Sequence, residues 1–331
     1  MTKASAPFVS ILTLGGTIAS MPSQTGSDLV EPSLTADDLL TSIGRPEGMP
    51  PIRTERLLQL ASGELSFAAI ANVAQRIREV TSQGAAGVVV TQGTDTLEET
   101  AFQLDLMLDL AQPVVVTGAL RNPTLPGADG GANLLAAIRV ASAPTASGLG
   151  VLVVMNDEIH AARFVRKIHT HKPSAFASPA AGPLGWIAED RVRIALRPAQ
   201  ATPTIAWLAE PPDIPLLTMT LSTTAEAFRG LLSSPPAGLV IAGFGAGHAP
   251  SGTVEAIGAL AAKRPVVLAS RAGAGEVFSA TYGYPGSESD LLGRGCISAG
   301  ELDPLKARVL LALLLGEGAD QTRIRQTFAH Y

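Results

Sequence analysis

Short apolar runs rich in β-branched residues alternate with segments of helical period along most of the chain. The runs over residues 8–12 and 87–90 each lead into a glycine-containing loop and are typical of buried strands. Between them, apolar residues recur at helical spacing after Ser66, a suitable N-cap, and predict a helix that ends near Val80. The expected result is a β-α-β unit.

The same alternation continues beyond the second run. Strands are predicted over residues 114–116 and 151–154, and helices over 97–110 and 132–140. The carboxylates of Glu98-Glu99 would stabilise the first turn of their helix through its dipole. This order of strands and helices is typical of a larger N-terminal domain with a doubly wound, mainly parallel sheet.

A stretch rich in proline interrupts the pattern before a second α/β series begins. Four prolines lie between residues 188 and 213, where the periodicity lapses. After this stretch, three apolar runs predict strands and three segments of helical period predict helices. We therefore expect an N-terminal domain over residues 1–190, a linker over 191–213 and a smaller C-terminal α/β domain over 214–331.

Composition and charge narrow the classes of function. The formal net charge of −5, with no basic run, argues against nucleic acid or an anionic membrane as a partner and favours a small molecule. The apolar stretches fall well short of the roughly 20 residues that a membrane helix needs. The start of the chain lacks the pattern of a signal peptide, so we expect a cytoplasmic protein. One cysteine, Cys296, excludes an intrachain disulfide framework.

Two loops that contain glycine and threonine carry the most informative residues. One is Gly15-Gly16-Thr17-Ile18-Ala19 and the other is Gln92-Gly93-Thr94-Asp95-Thr96. Ligands bind beyond the carboxyl ends of strands in open α/β sheets, so the two loops could converge. A hydroxyl becomes a nucleophile when a base takes its proton, and glycine amides can stabilise an oxyanion. The pair indicates acyl transfer, although either loop alone is also typical of a β-α turn whose threonine caps a helix.

Several segments together resemble bacterial-type L-asparaginases. The resemblance is carried by residues 14–19 and 91–100, by Gly118-Ala119-Leu120-Arg121 with Ala128-Asp129-Gly130, and by the segments 151–157, 182–185 and 303–309. It covers nearly the whole chain. It implies an amidohydrolase that converts L-asparagine to L-aspartate and ammonia through a threonine-linked acyl-enzyme, with minor glutaminase activity and no cofactor.

The resemblance implies catalytic roles for four residues. Thr17 resembles the nucleophile, and Thr94 with Asp95 resembles the second half of the catalytic apparatus. Lys167 occupies the place of the family lysine that hydrogen-bonds Thr94. A lysine kept partly neutral by burial could accept a proton through that hydroxyl, while Asp95 would anchor the α-ammonium group of the substrate.

Three further residues are implied to bind the substrate. Ser62 matches a family serine that binds the α-carboxylate, although a serine before a helix also serves as a cap. Gly63 replaces a glutamine that commonly follows this serine. Glu288 matches a glutamate that a neighbouring subunit supplies to the amino group, which implies a homodimer or homotetramer with the site at the dimer interface.

The segment after the first threonine departs from the family pattern. Residues 20–33 predict a flexible lid, but the lid tyrosine of the family is missing and simple register places Leu29 there. The tyrosines of the chain are Tyr282, Tyr284 and Tyr331. His248 falls where some relatives have asparagine. The activation of Thr17 and the preference between asparagine and glutamine therefore stay open.

Two other functions are compatible with these domains. The missing lid tyrosine suits a catalytically weak amino-acid-binding or sensing protein. A tRNA-linked amidotransferase subunit shares the domain pair, but such subunits carry an added N-terminal domain, whereas this chain starts at the first predicted strand. His160, His169 and His171 include one close pair, His169 and His171, but no third ligand accompanies this pair at metal-site spacing, so no metal is expected.

Overall fold

The chain divides into two compact units, Met1–Thr204 and Ile205–Tyr331. The computed structural model describes residues 7–16, 48–200 and 202–331, together with the backbone of residues 20–22 and 30–32. Among the helices in these ranges, none combines the length and the apolar character needed to cross a membrane.

The first unit is built from short strands and three α-helices in its described ranges. Its strands are β1 (Phe8–Gly15), β2 (Ser20–Pro22), β3 (Val30–Pro32), β4 (Ile52–Leu60), β5 (Ala85–Thr91), β6 (Val114–Thr117), β7 (Val151–Met155), β8 (Glu158–Ala161), β9 (Arg166–Lys167), β10 (Phe176–Ala177), β11 (Gly185–Ala188) and β12 (Arg191–Ile194). Its helices are α1 (Phe67–Ser82), α2 (Leu97–Met107) and α3 (Gly130–Ser142), and 3-10 turns cover Ser62–Glu64 and Pro144–Ala146.

Eight of these strands form one sheet in the order β12-β11-β8-β7-β6-β5-β1-β4. Strands β4, β1, β5, β6 and β7 are parallel, whereas β8, β11 and β12 extend the sheet in antiparallel fashion. Apolar side chains such as Val9, Val89 and Val115 pack against α3 on one face. The alternate residues Val88 and Val90 are buried as well, as expected for a sheet covered on both faces.

The sheet continues into the range that the sequence assigns to the linker. β11 and β12 pair through a turn at Glu189 and Asp190, whose φ angles are 48° and 65°. Two residues with positive φ suit the twist of a hairpin, but glycine or asparagine usually marks such a turn, and neither is present. Residues 191–194 therefore belong to a strand, which the lapse of periodicity did not reveal.

The second unit contains a smaller parallel sheet. Its strands are β13 (Leu216–Thr218), β14 (Leu239–Gly243), β15 (Val266–Ser270) and β16 (Ile297–Ser298), paired in that order. Its helices are α4 (Arg229–Ser233), α5 (Val254–Ala261), α6 (Glu288–Gly293), α7 (Pro304–Glu317) and α8 (Gln321–Phe328), with 3-10 turns over Ala225–Phe228 and Ser251–Thr253. The predicted two-domain α/β fold, with a smaller second domain, is confirmed.

Local chemistry explains where α7 begins and ends. The Asp303 side chain accepts hydrogen bonds from the backbone amides of Leu305 and Lys306, and Pro304 occupies the first turn, where its missing N–H costs nothing. The helix ends at Gly318, whose φ of 81° is readily adopted by glycine. Between these caps the helix buries apolar residues such as Leu310 and Leu314.

Candidate active site

The loops that follow β1 and β5 lie side by side because these strands are neighbours in the sheet. Gly15 and Gly16 have φ angles of 107° and 86°. A Cβ atom on Gly16 would lie 2.0 Å from the backbone nitrogen of Gly93, so the approach requires glycine. The residue before Thr17 in the chain therefore contacts the residue before Thr94.

Thr17 itself lies outside the described residues. So does most of the predicted lid over residues 20–33, including Leu29. The backbones of β2 and β3, at the two ends of that range, pair in antiparallel fashion. The roles of Thr17 as nucleophile and of this range as a lid stay predictions.

Lys167 connects two polar residues of the second loop, Thr94 and Asp95. Its Nζ donates a hydrogen bond of 2.9 Å to Oγ1 of Thr94 and lies 2.6 Å from Oδ1 of Asp95. Thr94 is buried and the Lys167 side chain is 16% exposed, whereas the Asp95 side chain is 78% exposed. The structure thus brings together a buried hydroxyl, a largely buried ammonium group and a carboxylate that solvent can reach.

Glu98 fixes the backbone from which Lys167 projects. In the first turn of α2, its buried carboxylate accepts a hydrogen bond of 2.9 Å from the backbone amide of Lys167. The sequence interpretation assigned Glu98 to the helix dipole alone. The contact joins residues 69 positions apart, so no local pattern could have revealed it.

Ser62 lies on the other side of the second loop, in the 3-10 turn after β4. Its Oγ accepts a hydrogen bond of 3.3 Å from the Asp95 amide, and its carbonyl accepts one of 2.9 Å from Oγ1 of Thr96. Thr96 stands at the N-cap of α2, yet its side chain makes no capping hydrogen bond. The hydroxyl of Thr96 therefore fastens the loop to Ser62, which argues against an ordinary capped β-α turn.

Gly63 follows Ser62 in the chain, and Gly93 lies beside Ser62 in space. The two glycines differ in the room that a side chain would have. A Cβ atom on Gly93 would lie 2.8 Å from Oγ of Ser62, so this glycine allows the close approach of the loop. At Gly63, in contrast, a Cβ atom would meet no heavy atom of the described residues within 4 Å. The position beside Ser62 is therefore open to a ligand or to a larger side chain.

Motif residues after β6 hold a third loop at the same edge of the sheet. The Asp129 carboxylate accepts hydrogen bonds from the backbone amide of Leu120 at 3.1 and 3.0 Å. The Asn133 side chain donates to the carbonyl of Gly118 at 3.0 Å and accepts from the amide of Asn156 at 2.9 Å. These contacts give the motif a structural role in fixing the loop.

Glu288 is fully buried within the second unit, at the start of α6. Its Oε1 accepts hydrogen bonds from the backbone amides of Thr281 and Tyr282 at 2.9 and 2.8 Å, and its Oε2 lies 3.2 Å from Nε2 of His248. Burial opposes ionisation, but these amides and His248 outweigh it and hold the pKa of Glu288 below its usual value. The contact expected between Glu288 and a substrate amino group stays a prediction.

The three histidines near Lys167 in sequence fall into two environments. His160 is buried in β8 with Nδ1 2.9 Å from Oγ of Ser178, and burial lowers its pKa to about 4. His169 and His171 lie on the turn between β9 and β10, with ring centroids 4.6 Å apart. His160 is therefore a packed polar residue of the sheet.

Family models match both parts of the chain. The model described as "Asparaginase, N-terminal" matches residues 8–200, and the one described as "Glutaminase/Asparaginase C-terminal domain" matches residues 213–328. The chain belongs to the asparaginase family.

Individual asparaginases are similar over almost their full length. A probable L-asparaginase of Deinococcus radiodurans is 37% identical over 329 residues, which are 98% of this chain and 98% of that protein. A probable periplasmic L-asparaginase of Haemophilus influenzae is 33% identical over 98% of this chain and 93% of that protein. The crystal structure of a probable cytoplasmic L-asparaginase from Campylobacter jejuni superposes with a TM-score of 0.87 at 32% identity, over 98% of this chain and 100% of that one. The predicted resemblance to L-asparaginases is confirmed.

Proposed function

We propose that the protein hydrolyses the side-chain amide of L-asparagine to L-aspartate and ammonia. Membership of the asparaginase family supports this reaction. The observation that carries the proposal is the bridge that Lys167 Nζ forms between Oγ1 of Thr94 and Oδ1 of Asp95. This bridge lies beside Gly93, which contacts Gly16, the residue before Thr17.

The polar groups around the bridge suit the two charged ends of an amino acid. The exposed carboxylate of Asp95 can pair with the α-ammonium group. Ser62 Oγ accepts a hydrogen bond from the Asp95 amide. The hydroxyl hydrogen of Ser62 is therefore available for a hydrogen bond to the α-carboxylate. At the adjacent Gly63, a Cβ atom would meet no heavy atom of the described residues within 4 Å, which leaves room for a ligand there.

The reaction proceeds in two halves. The Thr17 hydroxyl loses its proton as its oxygen attacks the amide carbon, and the carbon–nitrogen bond then breaks so that ammonia leaves with that proton. Water next attacks the resulting ester, which releases aspartate and returns a proton to Thr17. Thr94 Oγ1 accepts a hydrogen bond from Lys167, so its own hydrogen is available to orient the substrate amide or the attacking water.

Glutamine is proposed as a minor second substrate. The match to a C-terminal domain shared by glutaminases and asparaginases supports this extension. Glutamine is longer by one methylene, and the open space beside Ser62 at Gly63 can accommodate a shifted backbone of the substrate. A difference of one methylene discriminates only weakly between substrates.

A homodimer or homotetramer is proposed as the active assembly, with Glu288 completing the site of a neighbouring subunit. This assignment follows from the family resemblance of the segment around Glu288. Measurement of the mass in solution, together with activity, tests it: an active monomer would overturn the role across the interface.

The cytoplasm is the proposed compartment. The Campylobacter jejuni neighbour, described as cytoplasmic, supports this assignment, whereas the Haemophilus influenzae relative is described as periplasmic. Fractionation of cells that express the protein separates the two locations, and recovery in the periplasmic fraction would overturn the proposal.

Ammonia release from L-asparagine tests the proposed reaction. The wild type is compared with Thr17→Ala, Thr94→Ala and Lys167→Met, and substrate binding is followed in parallel by calorimetry. We expect turnover in the wild type and its loss in all three variants. Binding of asparagine by the wild type without ammonia release would instead favour an amino-acid sensor.

A further inference from the structure

Lys167 lies on one of the shortest strands of the first unit. β9 contains only Arg166 and Lys167, and it pairs in antiparallel fashion with β10. These two strands form a sheet of their own, outside the eight-stranded sheet that contains β1 and β5. A two-stranded pair is only marginally stable by itself. The position of the Lys167 backbone therefore depends on contacts beyond strand pairing.

The carboxylate of Glu98 supplies such a contact from a well-packed helix. Its Oε2 lies 2.9 Å from the backbone nitrogen of Lys167, whose N–H donates the hydrogen bond. Glu98 is 5% exposed and stands in the first turn of α2, in which every residue except Glu99 is buried. An ionised carboxylate is a stronger acceptor than a neutral carbonyl. The contact thus ties a two-residue strand to a rigid element of the fold.

The segment that leads into the same helix also holds the other end of Lys167. Thr94 lies four residues before Glu98, and its Oγ1 accepts a hydrogen bond of 2.9 Å from Lys167 Nζ. One short stretch of chain therefore contacts Lys167 at its backbone amide and at its ammonium group. A lysine side chain is flexible, so fixing one end leaves the other free to move. Contacts at both ends hold Nζ beside Thr94 and 2.6 Å from Oδ1 of Asp95.

The burial of Glu98 is not explained by the helix dipole. Two acidic residues, Glu98 and Glu99, lie in the first turn of α2. Either carboxylate interacts favourably with the partial positive charge of the helix start, and this interaction does not require burial. Burying a carboxylate is costly unless hydrogen bonds replace the lost water. Glu98 is nonetheless buried and Glu99 is not, which indicates a role for Glu98 that Glu99 lacks.

We propose that Glu98 is a positioning residue, whose carboxylate holds the Lys167 amide and thereby keeps Nζ within hydrogen-bonding distance of Thr94 and Asp95. Its effect on turnover rests on the proposed function, in which the Lys167 bridge takes part in the reaction. A misplacement of about 1 Å in a site can lower a rate about 100-fold. Its effect on the position of Lys167 does not rest on that function and can be measured without substrate.

Three substitutions at Glu98 separate the reach of the carboxylate from its charge. Glu98→Gln keeps an acceptor oxygen at the same reach but loses the charge. Glu98→Asp keeps the charge but withdraws it by one methylene, and Glu98→Leu removes both. Glu99→Leu is the matched control, because it removes a carboxylate from the same helical turn and leaves the acceptor of the Lys167 amide in place. Thermal unfolding of each variant establishes that the fold is kept.

Steady-state ammonia release gives kcat and KM for asparagine in the intact protein and in each variant. We expect kcat to fall about 100-fold in Glu98→Leu and about 10-fold in Glu98→Asp, with KM changed less than about threefold because Asp95 and Ser62 remain. Glu98→Gln should retain most of the wild-type kcat, since the acceptor is kept. Glu99→Leu should retain all of it.

Chemical labelling follows the position of Lys167 without substrate. Trace acetylation with acetic anhydride, quantified by mass spectrometry, gives the reactivity of Lys167 relative to that of the exposed Lys263. In the wild type the Lys167 side chain is 16% exposed and its Nζ is hydrogen-bonded, so labelling should be slow. We expect the relative rate to rise several-fold in Glu98→Leu and Glu98→Asp, and to keep its wild-type value in Glu98→Gln and Glu99→Leu.

Unchanged labelling of Lys167 in folded Glu98→Leu or Glu98→Asp would overturn the inference, whatever happens to kcat. Equal losses of kcat in Glu98→Leu and Glu99→Leu would also overturn it, because the charge at the helix start would then be responsible. If Glu98→Leu does not fold, the other two variants decide, and equal labelling in Glu98→Asp and Glu98→Gln would contradict a role for the reach of the carboxylate. An inactive wild type in which Glu98→Asp still exposes Lys167 would reject the proposed amidohydrolase and retain the positioning role.

Discussion

Two polar sites, one in each unit, differ in how far their carboxylates are exposed to solvent. In the first unit, Asp95 is exposed and Lys167 bridges it to a buried hydroxyl on Thr94. In the second unit, Glu288 is fully buried, its Oε2 lies 3.2 Å from Nε2 of His248, and Nδ1 of His248 lies 3.0 Å from the exposed hydroxyl of Tyr284. An exposed carboxylate is accessible to a ligand as it stands, whereas a buried one is held by the groups around it.

This difference changes what each carboxylate can contribute to a site. A solvent-exposed carboxylate is a good partner for a cation because a ligand can reach it and form charge-assisted hydrogen bonds with it. A buried carboxylate that is already hydrogen-bonded costs no reorganisation when a positive charge forms beside it. We therefore expect changes at Asp95 to appear mainly in KM.

The largest expected effect is at the bridge of the first unit. Lys167→Met removes the donor to Thr94 and leaves Asp95 without its ion pair, so we expect kcat to fall about 1000-fold or more, as for other residues that act as a unit. Steady-state ammonia release measures the loss. Thr94→Ala should be as inactive as Lys167→Met, and the double variant should be no worse than either. Additive losses would show that the bridge is not one functional unit.

Mixing of inactive subunits tests whether Thr94 of one subunit and Glu288 of another belong to the same active site. Thr94→Ala and Glu288→Gln subunits are unfolded, mixed in equal amounts and refolded. If Glu288 completes a neighbouring site, each mixed dimer contains one site with both substitutions and one with neither, so random pairing restores about a quarter of wild-type activity.

A matched mixture controls this experiment. Thr94→Ala and Lys167→Met lie in the same hydrogen-bonded group of one chain. Every site in their mixed dimers then retains one substitution, so no activity should return. Recovery in this control, or none in the mixture with Glu288→Gln, would contradict a site shared between subunits.

A smaller effect is expected in the pH dependence of stability, where two buried carboxylates should behave in opposite ways. Burial raises the pKa of Asp105 to about 6, partly offset by hydrogen bonds from Thr202 and Val151. Its contribution to stability is present at low pH and is lost as the pH rises through about 6. The lowered pKa of Glu288 has the reverse sign, so its contribution is present at neutral pH and is lost as the pH falls through that lowered value.

Urea unfolding between about pH 4 and pH 7 measures both signs. We expect the free energy of unfolding of the wild type to decline toward pH 7 by on the order of 2 kcal/mol from Asp105, and Asp105→Asn to remove that decline. Glu288→Gln should lose stability at pH 7 and less of it in acid. An unchanged slope in Asp105→Asn would contradict the assignment of the decline to this carboxylate.

Local signals explain what the sequence could predict. Each threonine loop follows a run of apolar residues, and the strands before the loops, β1 and β5, each have a neighbouring strand on both sides. β1, β5, β6 and β7 were all predicted close to their observed bounds. β4 was missed because it is an edge strand with charged positions and a mixed pattern of burial. The hairpin of β11 and β12 was missed because its turn carries no glycine.

Contacts over long separations could not be predicted from pattern alone. Lys167 lies 73 positions from Thr94, and only the family resemblance pointed to it. The contacts of Glu98 and His248 were not predicted for the same reason, because the fold brings their partners to them. Residue identity at such positions acquires meaning only when the neighbours are known.

The smallest expected effect is at Gly63. It tests whether substrate binding in the first unit can be strengthened without a change in kcat. A side chain at Gly63 would meet open space beside Ser62, so Gly63→Gln should fold normally. Its amide can donate to the α-carboxylate of a substrate held by Ser62, and one such hydrogen bond to a charged group is worth about 1.5–3 kcal/mol. Because part of this is offset by ordering the side chain, we expect KM for asparagine to fall a few-fold while kcat stays unchanged. Gly63→Leu, similar in size but without the amide, is the control. An equal fall in KM in Gly63→Leu would mean that filled space, rather than a hydrogen bond, is what the substrate gains at this position.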